Sequence, residues 1–255
     1  MLMQDTRAIV TGGASGLGLA VAELVVAAGG KVALFDVNDQ AGVDAVRALG
    51  TAASFHKVDV TSEQAVGAAV AAATELMGGL NLAVSCAGVG WPKRMLGKEG
   101  SMPGEFFRKV IEINLIGTLL VCKEAAAAMQ KNSPNSEGER GALVMTASVA
   151  AFDGQIGQVA YAASKGGVVS MTRGLARTFG PHKITVNSVS PGQVHTPMLM
   201  KDLKPEIYEA MKSQTPLGYV ADPEEIAGPV VFLASSHASY ITGATINISG
   251  GLLMY

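Results

Sequence analysis

The sequence predicts a doubly wound α/β fold, a single parallel sheet of about seven strands with helices on both faces. Three observations carry this. Short apolar runs of strand length alternate with stretches of helical periodicity from end to end. The runs are apolar on consecutive positions, as strands buried on both faces must be. A glycine-rich turn joins the first strand to the first helix.

The elements follow in order. Residues 7–11 form a strand that ends in glycines, and Leu17, Ala20, Val21, Leu24 and Ala28 then recur at helical spacing until Gly29 and Gly30 stop them. A second strand spans 31–36, and a helix over 43–49 is closed by Gly50. The third strand is read over 54–60. Thr61 and Gln64 have capping-box spacing, and Val66, Val70, Ala73 and Met77 give the next helix one apolar face. The fourth strand is 82–85. A long helix follows over 106–130, then a strand over 142–146, a helix over 161–179 and a strand over 184–189. The last helix is 224–234 and the last strand 245–248. Residues 131–140 are polar and turn-rich, which suits a surface loop. No linker divides the chain, so 1–255 reads as one domain. Residues 192–216 are weakly periodic, follow a strand end and contain Met198 and Met200, which suits a flexible apolar lid over a substrate.

Composition removes several classes of function. Of 255 residues, 49% are hydrophobic and 16% charged, too apolar a mixture for a disordered chain. Mean hydropathy is +0.32. Nineteen basic and 21 acidic residues give a net charge of −2, so no basic excess exists to neutralise nucleic-acid phosphates. The apolar runs fall short of a membrane span, and the start lacks the pattern of a signal peptide. Cys86 and Cys122 cannot make a disulfide framework, and a cytoplasmic setting is expected. The four histidines, at 56, 182, 195 and 237, have no metal-ligand spacing, so no metal is expected. There is neither a G-x-S-x-G elbow nor a Walker A sequence.

The turn from Thr11 to Gly18 reads Thr-Gly-Gly-Ala-Ser-Gly-Leu-Gly. Small residues at Gly12, Ser15, Gly16 and Gly18 let the backbone approach a pyrophosphate, and the helix opening near Leu17 offers free N–H groups and positive dipole. Asp36 stands 18 positions after Gly18 at the end of the second strand. A carboxylate there can accept from an adenosine ribose and repels a 2′-phosphate, which favours NAD over NADP. Asp36 also reads as an ordinary turn residue.

Tyr161 and Lys165 stand four apart and share a helix face. A phenol has a pKa near 10, and an adjacent ammonium together with an oxidised nicotinamide favours the phenolate. Bringing such a phenol to near neutrality takes about 4 kcal/mol of differential stabilisation. The pair alone is also common on exposed helices. Ser148, 13 residues before Tyr161, follows a strand end, where a hydroxyl can hold a substrate oxygen or cap a loop. Asn114 lies among apolar neighbours in a helix and needs a hydrogen-bond partner there.

Taken with Asp59-Val60, Ala87-Gly88 and Pro191-Gly192, these motifs resemble the short-chain dehydrogenase/reductases across nearly the whole chain. The resemblance implies a Rossmann-type domain, a nicotinamide cofactor, a small-molecule substrate and a homotetramer. It implies a catalytic tetrad of Asn114, Ser148, Tyr161 and Lys165: Tyr161 as acid/base, Ser148 as polariser, Lys165 as ribose anchor, and Asn114 holding a water. It places Asp59 and Val60 at the adenine, and Thr196 at the carboxamide. Two positions depart from the family's pattern: Cys86 stands where the turn usually has Asn, and Ser249 where an Asp usually precedes the last Gly-Gly.

More narrowly, residues 146–167, 131–140 and 91–104 are similar to type II 3-hydroxyacyl-CoA dehydrogenases, whereas 192–251 is similar to generic members of the superfamily, including ketoacyl reductases. The expected reaction is therefore NAD-dependent oxidation of a secondary alcohol, first a 3-hydroxyacyl thioester. The alternatives are a steroid, diol or aryl alcohol, or an NAD sensor without turnover. Candidate substrate contacts are Trp91, Gln155 and His195. Trp91 and Gln155 read equally as packing residues, and a solvent or turn role is the default for His195.

Overall fold

Side chains of each strand alternate between two apolar layers, one on either face of the sheet. In β1 (Arg7–Thr11), Ala8 and Val10 join one layer and Ile9 the other; in β2 (Lys31–Asp36), Val32 and Leu34 lie opposite Ala33 and Phe35. The computed structural model describes every residue except Glu99, Asp202 and Tyr255.

The seven strands expected from sequence are present. They continue with β3 (Ala53–Lys57), β4 (Leu82–Ser85), β5 (Gly141–Thr146), β6 (Ile184–Pro191) and β7 (Thr245–Ile248). All are parallel, in the order 3-2-1-4-5-6-7. Val10 pairs with Leu34 on one side and Val84 on the other, and Val84 with Val144. Strand order reverses between β1 and β4, so the connections leaving their carboxyl ends diverge and open a crevice.

Helices α1 (Gly16–Ala27), α2 (Asp39–Leu49) and α9 (Pro223–Ala234) cover one face, where Val21 and Val25 meet Ile226, Val230 and Leu233. The other face carries α3 (Glu63–Met77), α5 (Gly117–Met129) and α6 (Val159–Phe179), with Val66, Val70, Val121, Met129 and Val168 in its core.

Several boundaries differ from the sequence expectation for local reasons. Strand β3 stops at Lys57, so Val58 to Val60 belong to the loop beside the crevice. Thr61 does not open the capping box. Ser62 caps α3 by accepting from Ala65 N at 3.3 Å, while Thr61 donates its hydroxyl to Asp59. Asn38 caps α2, which therefore starts four residues before the first apolar position at Val43. The helix expected over 106–130 is three pieces: α4 (Gly104–Ile111), a π-helical turn over Glu112–Ile116, and α5. The π turn carries Asn114, fully buried, toward the crevice side of α6. Residues 192–216 hold two short helices, α7 (Pro197–Met200) and α8 (Pro205–Gln214), which the weak periodicity concealed; Asp202 between them lies outside the described residues.

Gly117 opens α5 against the loop after β3. A Cβ there would lie 2.6 Å from Val60 Cγ2 and 3.2 Å from the Val60 carbonyl oxygen. Alanine gains up to about 1 kcal/mol in helix propensity, but overpacking typically costs about 1–3 kcal/mol. Gly117→Ala is therefore expected to destabilise the fold by about 1 kcal/mol, seen as a lower urea midpoint at unchanged slope. A midpoint at or above the parent's would contradict this close contact.

Candidate active site

A cleft of about 620 Å³ opens at the carboxyl ends of the central strands. Of the catalytic, cofactor and substrate candidates read from sequence, only Asn114 and His195 do not line it.

At one end the glycine-rich turn passes under the turn that follows β4. Gly12 has φ +63°, and a Cβ there would lie 2.9 Å from Ala87 N, so a side chain would fill the cradle. Thr11 ties the two turns: its hydroxyl accepts from Ala87 N at 3.1 Å and its carbonyl from Cys86 N at 3.2 Å. Ser15 precedes α1 without a side-chain cap, leaving the opening N–H groups at Gly16, Leu17 and Gly18 for an anion. The Asp36 carboxylate accepts from Ala14 N at 3.2 Å and Asn38 N at 3.1 Å. It thus serves its own turn and braces the glycine loop while lining the cleft. Asp59 accepts from Thr61 N and Oγ1 at 2.9 and 2.8 Å, and with Val60 walls the same end. Open backbone donors, an acidic strand end and an apolar wall fit a dinucleotide.

At the other end Ser148 stands in extended backbone after β5 and accepts from Ala150 N at 3.2 Å. It also hydrogen-bonds the Tyr161 hydroxyl. One turn along α6, Lys165 Nζ lies 5.6 Å from the Tyr161 ring centroid, so the two share a face. Nζ donates to the Thr146 carbonyl at 2.6 Å.

In the chain by itself, burial opposes ionisation of both groups. Burial pushes the Tyr161 phenol up, and the Ser148 bond opposes it without reversing it. Burial also pushes Lys165 down to about 8. Low-dielectric surroundings disfavour phenolate and ammonium alike.

Asn114 acts from behind. Its Oδ1 accepts from Val89 N at 2.8 Å, while Nδ2 donates to Val89 O at 2.9 Å and to Ser164 Oγ at 3.0 Å. Ser164 in turn donates to the Tyr161 carbonyl at 2.7 Å. Both amide hydrogens are thus committed to protein, and the side chain pins α6 to the loop after β4. Its main-chain carbonyl accepts from Thr118 Oγ1 at 2.8 Å.

Trp91 borders the cleft and also packs against Phe106, ring centroids 6.3 Å apart. Gln155 lines the cleft as well. Thr196 caps α7 through Leu199 N. His195 points elsewhere: its two ring nitrogens meet Asp222 and Tyr208. The departures are absorbed locally. Thr146 Oγ1 donates to Cys86 Sγ at 3.4 Å, and Ser249 exchanges hydrogen bonds with the Leu253 main chain. Sequence reasoning missed Ser164 and Thr146. Their only signals were a hydroxyl three residues after Tyr161 and a strand end facing Lys165.

Comparison with known proteins agrees with this geometry. The family model described as "Enoyl-(Acyl carrier protein) reductase" matches residues 12–253. The chain is 40% identical over 250 residues to 3-hydroxyacyl-CoA dehydrogenase type-2 of Bos taurus, covering 97% of this chain and 95% of that one. The crystal structure of 3-hydroxyacyl-CoA dehydrogenase type-2 from Mycobacterium avium superposes with a TM-score of 0.89 at 36% identity, covering 98% and 97% of the two chains. A short-chain dehydrogenase/reductase of Brucella melitensis, described as a glucose/ribitol dehydrogenase, gives a TM-score of 0.90 at 34% identity with both chains fully covered. With sheet order, glycine turn and the Ser148–Tyr161–Lys165 cluster in place, the chain belongs to the short-chain dehydrogenase/reductase family, the nicotinamide-dependent oxidoreductases that act on hydroxyl groups.

Proposed function

We propose that the protein is an NAD-dependent dehydrogenase of secondary alcohols, with a 3-hydroxyacyl-CoA thioester as its substrate class. The observation that carries the reaction is the convergence of Ser148, Tyr161 and Lys165 at the wall of a cleft whose far end fits a dinucleotide. A bound nicotinamide supplies the hydride acceptor. Tyr161 takes the hydroxyl proton, Ser148 donates to the substrate oxygen as charge develops on it, and Lys165 holds a ribose while favouring the phenolate. Asn114 holds the first turn of α6 so that these three groups stay in register. An NAD sensor would have no use for this convergence.

The substrate reading rests on the relatives and on the lining. Val149, Met198, Leu199, Met211 and Leu252 make the substrate side apolar, which suits an acyl chain better than a polyol. Residues 192–216 act as the lid. NAD is favoured over NADP by the Asp36 charge, with no cation at Ala14 or Ser15 beside it. We further infer a homotetramer, because Ile116 and Leu119 on the π turn and α5, and Phe232 on α9, lie partly exposed. The unpaired Cys86 and Cys122 suit a cytoplasmic setting. No described helix is long and apolar enough to cross a membrane.

Assay of 3-hydroxyacyl-CoA esters against steroids, diols and aryl alcohols, by nicotinamide absorbance with each cofactor, tests this directly. Tyr161→Phe should lower kcat roughly 1,000-fold while leaving the NAD dissociation constant within twofold, since only the proton route is removed. A near-normal rate would refute the assigned role. Asp36→Ala should lower the NAD/NADP ratio of kcat/KM by about 10- to 100-fold, the scale of one charged hydrogen bond; an unchanged ratio would mean that Asp36 serves its turn alone. Ser148→Ala removes the bond that opposes the upward push on Tyr161. The acidic limb of kcat/KM for oxidation should then move to higher pH, with a loss of about 100-fold in rate. A shift to lower pH would show that Ser148 stabilises the neutral phenol instead.

A further inference from the structure

His195 stands where the lid leaves the sheet. The lid's two ends close on each other: Val194 bridges Ala221, His195 N donates to Ala221 O at 2.8 Å, and Ala221 N donates to Gln193 O at 3.1 Å. Beyond this neck the imidazole spans two elements of unequal rigidity. Nδ1 meets Asp222 Oδ1 at 2.8 Å, and Nε2 meets Tyr208 Oη at 2.9 Å. The His195 and Tyr208 rings also stack, with centroids 5.6 Å apart and 16° between planes.

Asp222 is the fixed end. It caps α9, its backbone N–H donates to Glu225 at 2.9 Å, and α9 is seated in the core through Ile226, Val230 and Leu233. Tyr208 is the movable end. It belongs to α8, a helix without a buried residue. Apolar burial therefore does little to hold α8 in place, and a directional polar contact counts for more. Met211, one turn further along α8, lines the cleft, so a shift of this helix changes the substrate side directly.

The chemistry of the bridge is consistent. A carboxylate only accepts, so Nδ1 carries a proton toward Asp222, and Nε2 accepts from the Tyr208 hydroxyl. Protonation of the ring reverses the second bond without removing it, since a phenol oxygen also accepts. The contact holds in both charge states.

We propose that His195 is a positioning residue, a latch that ties lid helix α8 through Tyr208 to the rigid N-terminus of α9 and so sets the height of the lid over the substrate. The proposal rests on reading 192–216 as the lid of an oxidoreductase cleft. It assigns His195 a role away from the substrate, in place of the direct contact read from sequence.

Tyr208→Phe deletes only the hydroxyl and keeps the stacked ring, and His195→Ala removes the bridge altogether. Hydrogen exchange of residues 205–214 in the full-length protein should be about three- to tenfold faster in Tyr208→Phe, the scale of one neutral hydrogen bond. Adding Tyr208→Phe to His195→Ala should produce no further increase. KM for the best alcohol of the panel should rise by the same factor, with kcat, the NAD dissociation constant and the melting temperature essentially unchanged. Unaltered exchange in Tyr208→Phe, additive effects in the double variant, or faster exchange with an unmoved KM would each overturn the latch. The exchange arm needs no turnover, so a silent substrate panel would count against the dehydrogenase reading while exchange alone decided the latch.

Discussion

An ammonium buried against a single carbonyl governs this site. Lys165 is 5% exposed and donates to the Thr146 oxygen at 2.6 Å, with no carboxylate paired to it among the described residues. A cation so placed is under-compensated, which is why its pKa falls to about 8 in the free chain. Because the folded value lies below the ordinary 10.5, the unfolded chain holds this proton more firmly, and stability rises as pH goes from about 8 toward 10.5. In the proposed reaction a bound ribose and a phenolate would complete its shell. The neighbouring Tyr161 phenol is pushed up by its own burial, so both groups are held against ionisation by the same dry surroundings.

The deficit is useful only if α6 cannot drift. Tyr161 and Lys165 sit in its first two turns, where a helix would fray. Asn114 prevents this from a π turn in the facing helix by binding both polar groups of Val89 and reaching Ser164, which holds the Tyr161 carbonyl. A regular α-helix over 104–129 would have rotated the residues beyond Asn114 differently. The irregular turn is the structural counterpart of a polar residue in an apolar run.

The sheet and the cleft were legible in the sequence because both are written in local patterns. Doubly buried strands show as apolar runs, and the glycine turn is short and contiguous. What was hidden depends on contacts distant in sequence. Ser62 rather than Thr61 caps α3 because Asp59 claims the Thr61 hydroxyl. Helices α7 and α8 were illegible because neither contains a buried residue, so no strong apolar period marks them. His195 read as a substrate contact or a solvent or turn residue because its partners are 13 and 27 residues away.

The two ends of the cleft are therefore built on different physics. The dinucleotide end is made of backbone held by the sheet, where Gly12 admits no side chain and Thr11 ties adjacent turns. The end proposed for the substrate is bordered by α7 and α8, which bury no residue and are restrained by a neck of main-chain bonds and a few polar side chains. Substitution in these helices disturbs little of the core, so on the proposed reading substrate range can change while the glycine turn and the Ser148–Tyr161–Lys165 cluster stay fixed. The two similar structures fit this division: one is named for 3-hydroxyacyl-CoA and the other for glucose or ribitol, and this chain superposes on both along nearly its whole length.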